Sequence, residues 1–414
     1  MLSLQRKHFA FYILSPFLLF LFSLKDYRSK FFPGILYLFC LFYGFTFTVA
    51  SDAFDGARII QKFAEASEAS FFQYTRISEI LSTGDTQIVE DIIIWFVANT
   101  FESSQVLFLI YAAIFGYFYI KNFQIIVSLF GFKNTFFEYV LLISFMMLIP
   151  IWEINGWRMW TASHIFVYAV FNLVTKRVSV KYLLLMFMTP FVHFSFWMMI
   201  LPVVVFLLLK RVLSRKILLP LFILTLFINP FNVEKSALEN TVSLEFAQSK
   251  IKGYGNEEYI EGTLEKEQQL VFHARYYKTA LHFGLIIPFV FLLVKTSKFD
   301  EKFKSILYWT LFFGIVVNVI ALFPFADMLR FRMIHYFFVI FSLVYILKSY
   351  SYSFGSSIIF RFFSLGIISL LIFFNLVEFR KGLDRFGITT ILTNPITVHF
   401  YPAEENVAII NLIK

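Results

Sequence analysis

The stretch that decides the fold is residues 152–210, WEINGWRMWTASHIFVYAVFNLVTKRVSVKYLLLMFMTPFVHFSFWMMILPVVVFLLLK. Arg158 opens one apolar span, and His193 sits in the middle of the next apolar run. Ionisable groups at such depth are costly in a bilayer, so they generally face a polar cavity and mark a function. Helical steps of three and four from Arg158 reach Thr161, Ile165, Tyr168 and Asn172. Arginine, hydroxyls and an amide thus share one stripe. The run 182–209 has Lys181 before it and Lys210 after it, and both ends prefer the cytoplasmic face. A single crossing would strand one basic end outside. Pro190 and the following Val192-His193-Phe194-Ser195 allow a break. Residues 182–209 therefore read as a re-entrant hairpin of two short helices with His193 at its outward tip.

Composition agrees with that reading. Hydrophobic residues make up 59% of the chain and charged residues 15%, against roughly 25% charged in soluble domains. The lipid bilayer is thus the main partner. The net charge of +9 does not point to nucleic acid, because the basic residues fall in short loops between apolar runs, where they orient the chain. The single cysteine, Cys40, excludes an intramolecular disulfide. With no CxxC, no HExxH and seven scattered histidines, neither a metal nor a cofactor is expected. Arg6 and Lys7 precede an apolar stretch with no A-x-A site after it, which reads as a first retained span.

Apolar runs at 9–24, 31–50, 103–120, 137–151, 158–175, 217–229, 277–294, 305–323, 333–347 and 358–377 predict about ten full spans besides the hairpin. Two polar segments belong outside. Residues 51–91 carry eight acidic and three basic side chains, and residues 230–276 carry eight and five. In the first, Phe54, Ala57, Ile60 and Phe63 recur at helical spacing, as in a helix lying in the interface. Residues 92–97 are too short to cross. The predicted fold is all-α: one polytopic helical bundle over 1–414, with two large outer loops carrying interfacial helices and an outer tail at 378–414.

Most charges at the membrane edge map to the outer half. Asp52, Asp55 and Arg58 follow one another at intervals of three, either a solvated helix start or one functional face. Asp327, Arg330, Arg332, His335 and Tyr336 crowd another outer edge. Several arginines with few buried acids suggest an anionic substrate, because a guanidinium fork holds phosphate oxygens with paired, charge-assisted bonds.

The order of these features resembles the EpsG-like branch of the Wzy-type polysaccharide polymerases. The resemblance rests on Tyr43-Gly44, the acids Asp52 and Asp55, Asn155-Gly156-Trp157-Arg158, Lys176-Arg177 with Lys181-Tyr182, Phe191-Val192-His193-Phe194-Ser195, and Arg332-Met333-Ile334-His335-Tyr336-Phe337. It implies a glycosyltransferase on the outer face of a bacterial inner membrane. Such an enzyme moves a growing glycan from undecaprenyl diphosphate onto a second lipid-linked repeat unit. Its partners would be the undecaprenyl-diphosphate-linked oligosaccharide and a chain-length regulator protein. The resemblance implies a diphosphate clamp of Arg158, Arg330 and Arg332, with Tyr336 beside it. It implies His193 or Asp55 as the base, and Asp52 and Arg58 as partners of sugar hydroxyls. A lipid-linked oligosaccharide flippase and a membrane O-acetyltransferase are the rival classes.

Overall fold

The apolar runs are helices in the computed structural model, which describes residues 10–47, 54–75, 88–130, 135–176, 178–227, 271–295, 300–321, 328–349, 358–400 and 408–409. In chain order these are α1 (Pro16–Ser23), α2 (Phe32–Thr46), α3 (Phe54–Glu68), α4 (Phe71–Thr75), α5 (Ile88–Thr100), α6 (Ser104–Leu129), α7 (Phe136–Leu148) and α8 (Trp157–Thr175). There follow α9 (Val180–Val192), α10 (Trp197–Leu209), α11 (Arg215–Leu226), α12 (Phe272–Lys295), α13 (Glu301–Ile320), α14 (Met328–Ser349), α15 (Ile358–Arg385) and α16 (Ile388–Leu392). Among the described residues there is no β-strand, only a bridge between Gly387 and Ala408. The chain is an all-helical polytopic membrane protein. Among the described residues, five stretches are long and apolar enough to cross a membrane: Ser104–Leu129, Phe136–Thr175, Phe272–Lys295, Phe303–Ile320 and Arg330–Lys348. Shorter apolar helices accompany them.

Local sequence sets the helix ends. Ser15 accepts from the Leu18 amide at 3.3 Å, and Pro16 opens α1, so the run expected to cross unbroken at 9–24 is interrupted at Ser15. Thr135 and Glu138 form a reciprocal capping box on α7. The expected span 103–120 continues as helix to Leu129, because Lys121 lies over the Tyr117 ring instead of ending the helix. Similarly α15 runs on to Arg385, so residues 378–385, expected to open the outer tail, are helical.

The bundle is built around α14. The Arg330–Lys348 stretch is 83% buried, and such a helix must be apolar on nearly every side. Two of its buried polar side chains pair with α13: Ser342 Oγ with Thr310 Oγ1 at 2.9 Å, and His335 Nε2 with the Thr310 carbonyl at 3.0 Å. Helices α2 and α6 approach most closely where Gly44 lies. A Cβ there would stand 2.3 Å from Ala112 Cβ and 2.7 Å from the Phe108 carbonyl oxygen. The Tyr43-Gly44 motif thus has a packing reason, as small residues let membrane helices touch.

The two ends of the bundle differ in charge. At one end Tyr27 meets Tyr139, Lys348 reaches the Ser128 carbonyl and Arg215 reaches that of Val294. Lys25, Arg28, Lys176, Lys210 and Arg211 lie in its turns, and Lys181 in the first turn of α9. At the opposite end α3, α4 and α5 form a cap. Trp95 Nε1 donates to the Ala69 carbonyl and Asn99 Nδ2 to that of Ala66, each at 3.0 Å. The cap corrects the expected apolar face of α3. Ile59 and Ala66 are fully buried while Ile60 is 41% exposed. Phe63 of the expected stripe packs on the core, with Ile59 and Ala66 beside it, while Arg58 and Lys62 reach a carboxylate below.

Candidate functional site

That carboxylate is Glu90, near the start of α5, whose side chain is only 1% exposed. Arg58 donates to both its oxygens, at 2.9 and 3.0 Å. Lys62 approaches at 3.2 Å, and Arg158 Nε, from the first turn of α8, at 3.5 Å. Burial alone would raise the Glu90 carboxyl. The Arg58 hydrogen bonds and the charges of Arg158, Lys62 and Arg58 outweigh it and hold the group at about 2. Its neighbour Asp91, bonded to Lys62 at 2.7 Å, is pushed up, chiefly by burial. Glu90 therefore joins cap and bundle as a permanent anion among three cations. Around it, Tyr74 Oη, Tyr111 Oη, Trp157 Nε1 and Thr161 Oγ1 are buried and hydrogen-bond to nothing among the described residues. The Trp157 and Tyr111 rings stack with centroids 4.4 Å apart.

The short 3₁₀ turn Ile151–Gly156 separates this cluster from a second one. Glu153, in the turn, takes Arg385 Nη1 at 2.8 Å. Beyond that pair, Lys278 of α12 lies within electrostatic reach of Lys381, Glu378, Glu153 and Arg330. Lys381 bonds Glu378 at 3.0 Å and also the Tyr277 hydroxyl. One turn deeper, His282 Nδ1 lies 2.9 Å from Tyr336 Oη. Arg332 acts on both rings electrostatically, and its Nε is buried with no hydrogen-bond partner among the described residues. Lys278 with His282 and Arg332 with Tyr336 are each four residues apart. Two helix faces, of α12 and α14, thus meet across a polar slot.

His193 is the extended residue between α9 and a 3₁₀ turn, Phe194–Phe196. Its Nδ1 lies 2.7 Å from Ser195 Oγ. Phe196 packs against Phe331 at 5.9 Å and Phe166 at 5.5 Å, so the His193 turn abuts the start of α14, where Arg330 and Arg332 flank Phe331. Further along α10, Phe206 meets Trp309 and Phe312.

The residues singled out from sequence therefore separate into groups. Arg58 and Arg158 meet at Glu90; Arg332 and Tyr336 meet His282; Arg330 joins Lys278. Asp52, Asp327 and residues 230–270 lie outside the described residues, and Asp55 is described only as backbone of α3. Sequence reasoning passed over Glu90, Lys278, His282 and Lys381. Glu90 counted only toward the acidity of a loop, although the hydrophobic run directly after it marks a packed position. His282 and Lys278 sit at a spacing of four within an apolar span, a signal of the same kind that singled out Arg158.

Among the described residues no group of three or more His, Cys, Asp or Glu side chains is arranged to hold a metal ion. Comparison with known proteins gives one match: the family model described as the EpsG family aligns with residues 85–388, well over half of the chain. No curated protein matches, and no solved structure matches.

Proposed function

This chain belongs to the EpsG family, whose members are Wzy-type polysaccharide polymerase-like membrane proteins, and on that premise we propose that it is a bacterial inner-membrane polysaccharide polymerase. In this reading it transfers a growing glycan from undecaprenyl diphosphate to a lipid-linked repeat unit of an O-antigen, capsule or exopolysaccharide. The acceptor hydroxyl oxygen bonds to the anomeric carbon of the growing glycan. The bond from that carbon to the diphosphate oxygen breaks, its electron pair leaves with the diphosphate, and the hydroxyl proton passes to a base. His193 and Asp55 are the proposed bases.

The observation that carries the reading is the cation surplus at the cap end. Among the described residues, Lys278, Arg330, Arg332 and Lys381 outnumber Glu153 and Glu378, and Glu153 is already engaged by Arg385. Positive charge set where a leaving diphosphate accumulates negative charge lowers the barrier more than it improves ground-state binding. Across the 151–156 turn, Arg158, with Tyr111, Trp157 and Thr161 around it, would offer hydroxyl and N–H partners to the glycan, and Asp52 and Arg58 would orient further sugar hydroxyls. The basic turns at the other end fit the cytoplasmic side, which would turn the site toward the periplasm. A chain-length regulator protein would act on the same side.

The test is the glycan ladder of cells with and without the gene. A polymerase leaves single-repeat products when lost. Absence of any surface glycan would instead indicate a flippase, and an unchanged ladder an O-acetyltransferase. Arg158→Lys and Arg332→Lys should each cut polymerisation roughly a hundredfold at matched protein levels, since lysine keeps the charge but loses the planar fork. Arg275→Lys, at the exposed start of α12, should leave the ladder long. Wild-type ladders from both Arg158→Lys and Arg332→Lys would refute the clamp.

A further inference from the structure

Among the histidines of the described helices, His164 and His335 are buried and held by their own fold. His164 is 1% exposed, with Asn122 at Nδ1 and the Ile149 carbonyl at Nε2, both at 3.3 Å. His335 is 3% exposed. Its Nε2 donates to the Thr310 carbonyl, and its ring is boxed against Gly314 and Phe222. Both are interior histidines satisfied by their own fold.

His282 differs. It is half-buried, and its Nε2 has no hydrogen-bond partner among the described residues. Its Nδ1 is held by Tyr336, whose buried hydroxyl has that nitrogen as its only partner among the described residues. A buried phenol must place its proton on an acceptor, so Tyr336 donates to Nδ1. The remaining imidazole proton is then fixed on Nε2. One face of the slot therefore presents an N–H from His282 beside the buried, unpartnered Nε–H of Arg332, with Lys278 one turn above. Donors without acceptors among the described residues, in a slot lined by Lys278 and Arg332, ask for an oxyanion.

We propose that His282, oriented by Tyr336 and set beside Arg332, donates from Nε2 to the phosphoryl oxygens of a bound diphosphate. The proposal deepens the polymerase reading and rests on it for the identity of the reaction. The bond needs no proton transfer: His282 is a donor to the departing oxyanion and not the base that takes the hydroxyl proton. The groups of α14 that act on it are Arg332, His335 and Tyr336, and Lys278, one turn away on its own helix, faces Arg330, Glu378 and Lys381.

The experiment uses the full chain in detergent or nanodiscs, with inorganic diphosphate and geranyl diphosphate as probes. In His282→Gln the amide can replace the Nε2 donor, and this variant should keep polymerisation within about tenfold of wild type. His282→Leu, which cannot donate, should lose roughly a hundredfold in kcat with a smaller change in KM. His282→Leu should also bind geranyl diphosphate at least tenfold more weakly, scored by thermal shift, which needs no catalysis. Tyr336→Phe should lower kcat while leaving KM nearly unchanged, because the ring stays in place but loses its orientation. A weakened response to geranyl diphosphate alone assigns the slot to a lipid-linked headgroup, and an equal loss for inorganic diphosphate assigns it to the phosphoryl group itself. If wild type polymerises and both His282 variants polymerise and bind as it does, the proposal is overturned and the polymerase reading stands. If wild type builds no polymer yet its diphosphate binding depends on His282, the polymerase reading falls and the oxyanion site remains. A misfolded His282→Leu would leave His282→Gln and Tyr336→Phe to decide, and wild-type kcat and diphosphate binding in Tyr336→Phe would sink the assigned donor geometry.

Discussion

Replacing Glu90 by glutamine removes one negative charge from beneath three cations without changing the volume of the side chain. Its carboxyl sits at about 2 against an ordinary 4.5. A displacement of that size corresponds to roughly 3 kcal/mol of folded-state stabilisation at neutral pH, at about 1.4 kcal/mol per tenfold change in proton affinity. An independent figure comes from mutational experience, in which removing one partner of a buried ion pair costs about 3–5 kcal/mol. The three cations are each between a quarter and a third exposed, which favours the lower end. The sign follows from the depressed carboxyl. Its contribution is fully present above the unfolded value of 4.5 and is lost as pH falls toward 2. The gap between wild type and Glu90→Gln should thus be roughly 3 kcal/mol at pH 7 and shrink to about 1.4 kcal/mol at pH 3. Denaturant unfolding of the purified chain in mixed micelles, run at both pH values, measures it. A gap below about 1 kcal/mol at pH 7, or one that stays the same at pH 3, would refute the ion-cluster argument.

Three further outcomes follow from the packing. Gly44→Ala should destabilise by about 1–3 kcal/mol, because the new methyl meets Ala112 and the Phe108 carbonyl. Gly34→Ala, with nothing within 4 Å, should be neutral or stabilising by up to about 1 kcal/mol; equal effects would contradict the close α2–α6 contact. A double-mutant cycle between Glu153 and Arg385, 18% and 35% exposed, should return a coupling of about 1 kcal/mol. No coupling would mean that the end of α15 is not tied to the 151–156 turn. In a Cys40→Ser background, a cysteine at exposed Ser67 should react with an impermeant thiol reagent in intact spheroplasts. One at exposed Val212 should react only after permeabilisation, and the reverse pattern would invert the orientation given to the site.

The sequence by itself determines that this is a helical membrane protein, because backbone polar groups in hydrocarbon can be satisfied only within helices or closed barrels. Long apolar runs separated by basic turns leave the helical answer. Sequence also marks Arg158, Arg332 and His193, since an ionisable residue within or beside an apolar run stands out without any knowledge of its neighbours. Partners are another matter. Glu90 looks like one acid among eight until α3 lies across it and α8 brings Arg158 up from below. His282 and Tyr336 are 54 residues apart, and nothing in either helix alone says that they share a proton. Likewise α3 offers more than one apolar stripe, and only the packing of the cap turns Ile59 and Ala66 inward and leaves Ile60 outside. Periodicity reports what each segment hides from water or lipid. Which charge meets which is set by long-range packing, and here that packing holds Arg158 on Glu90 and brings Arg332 beside His282.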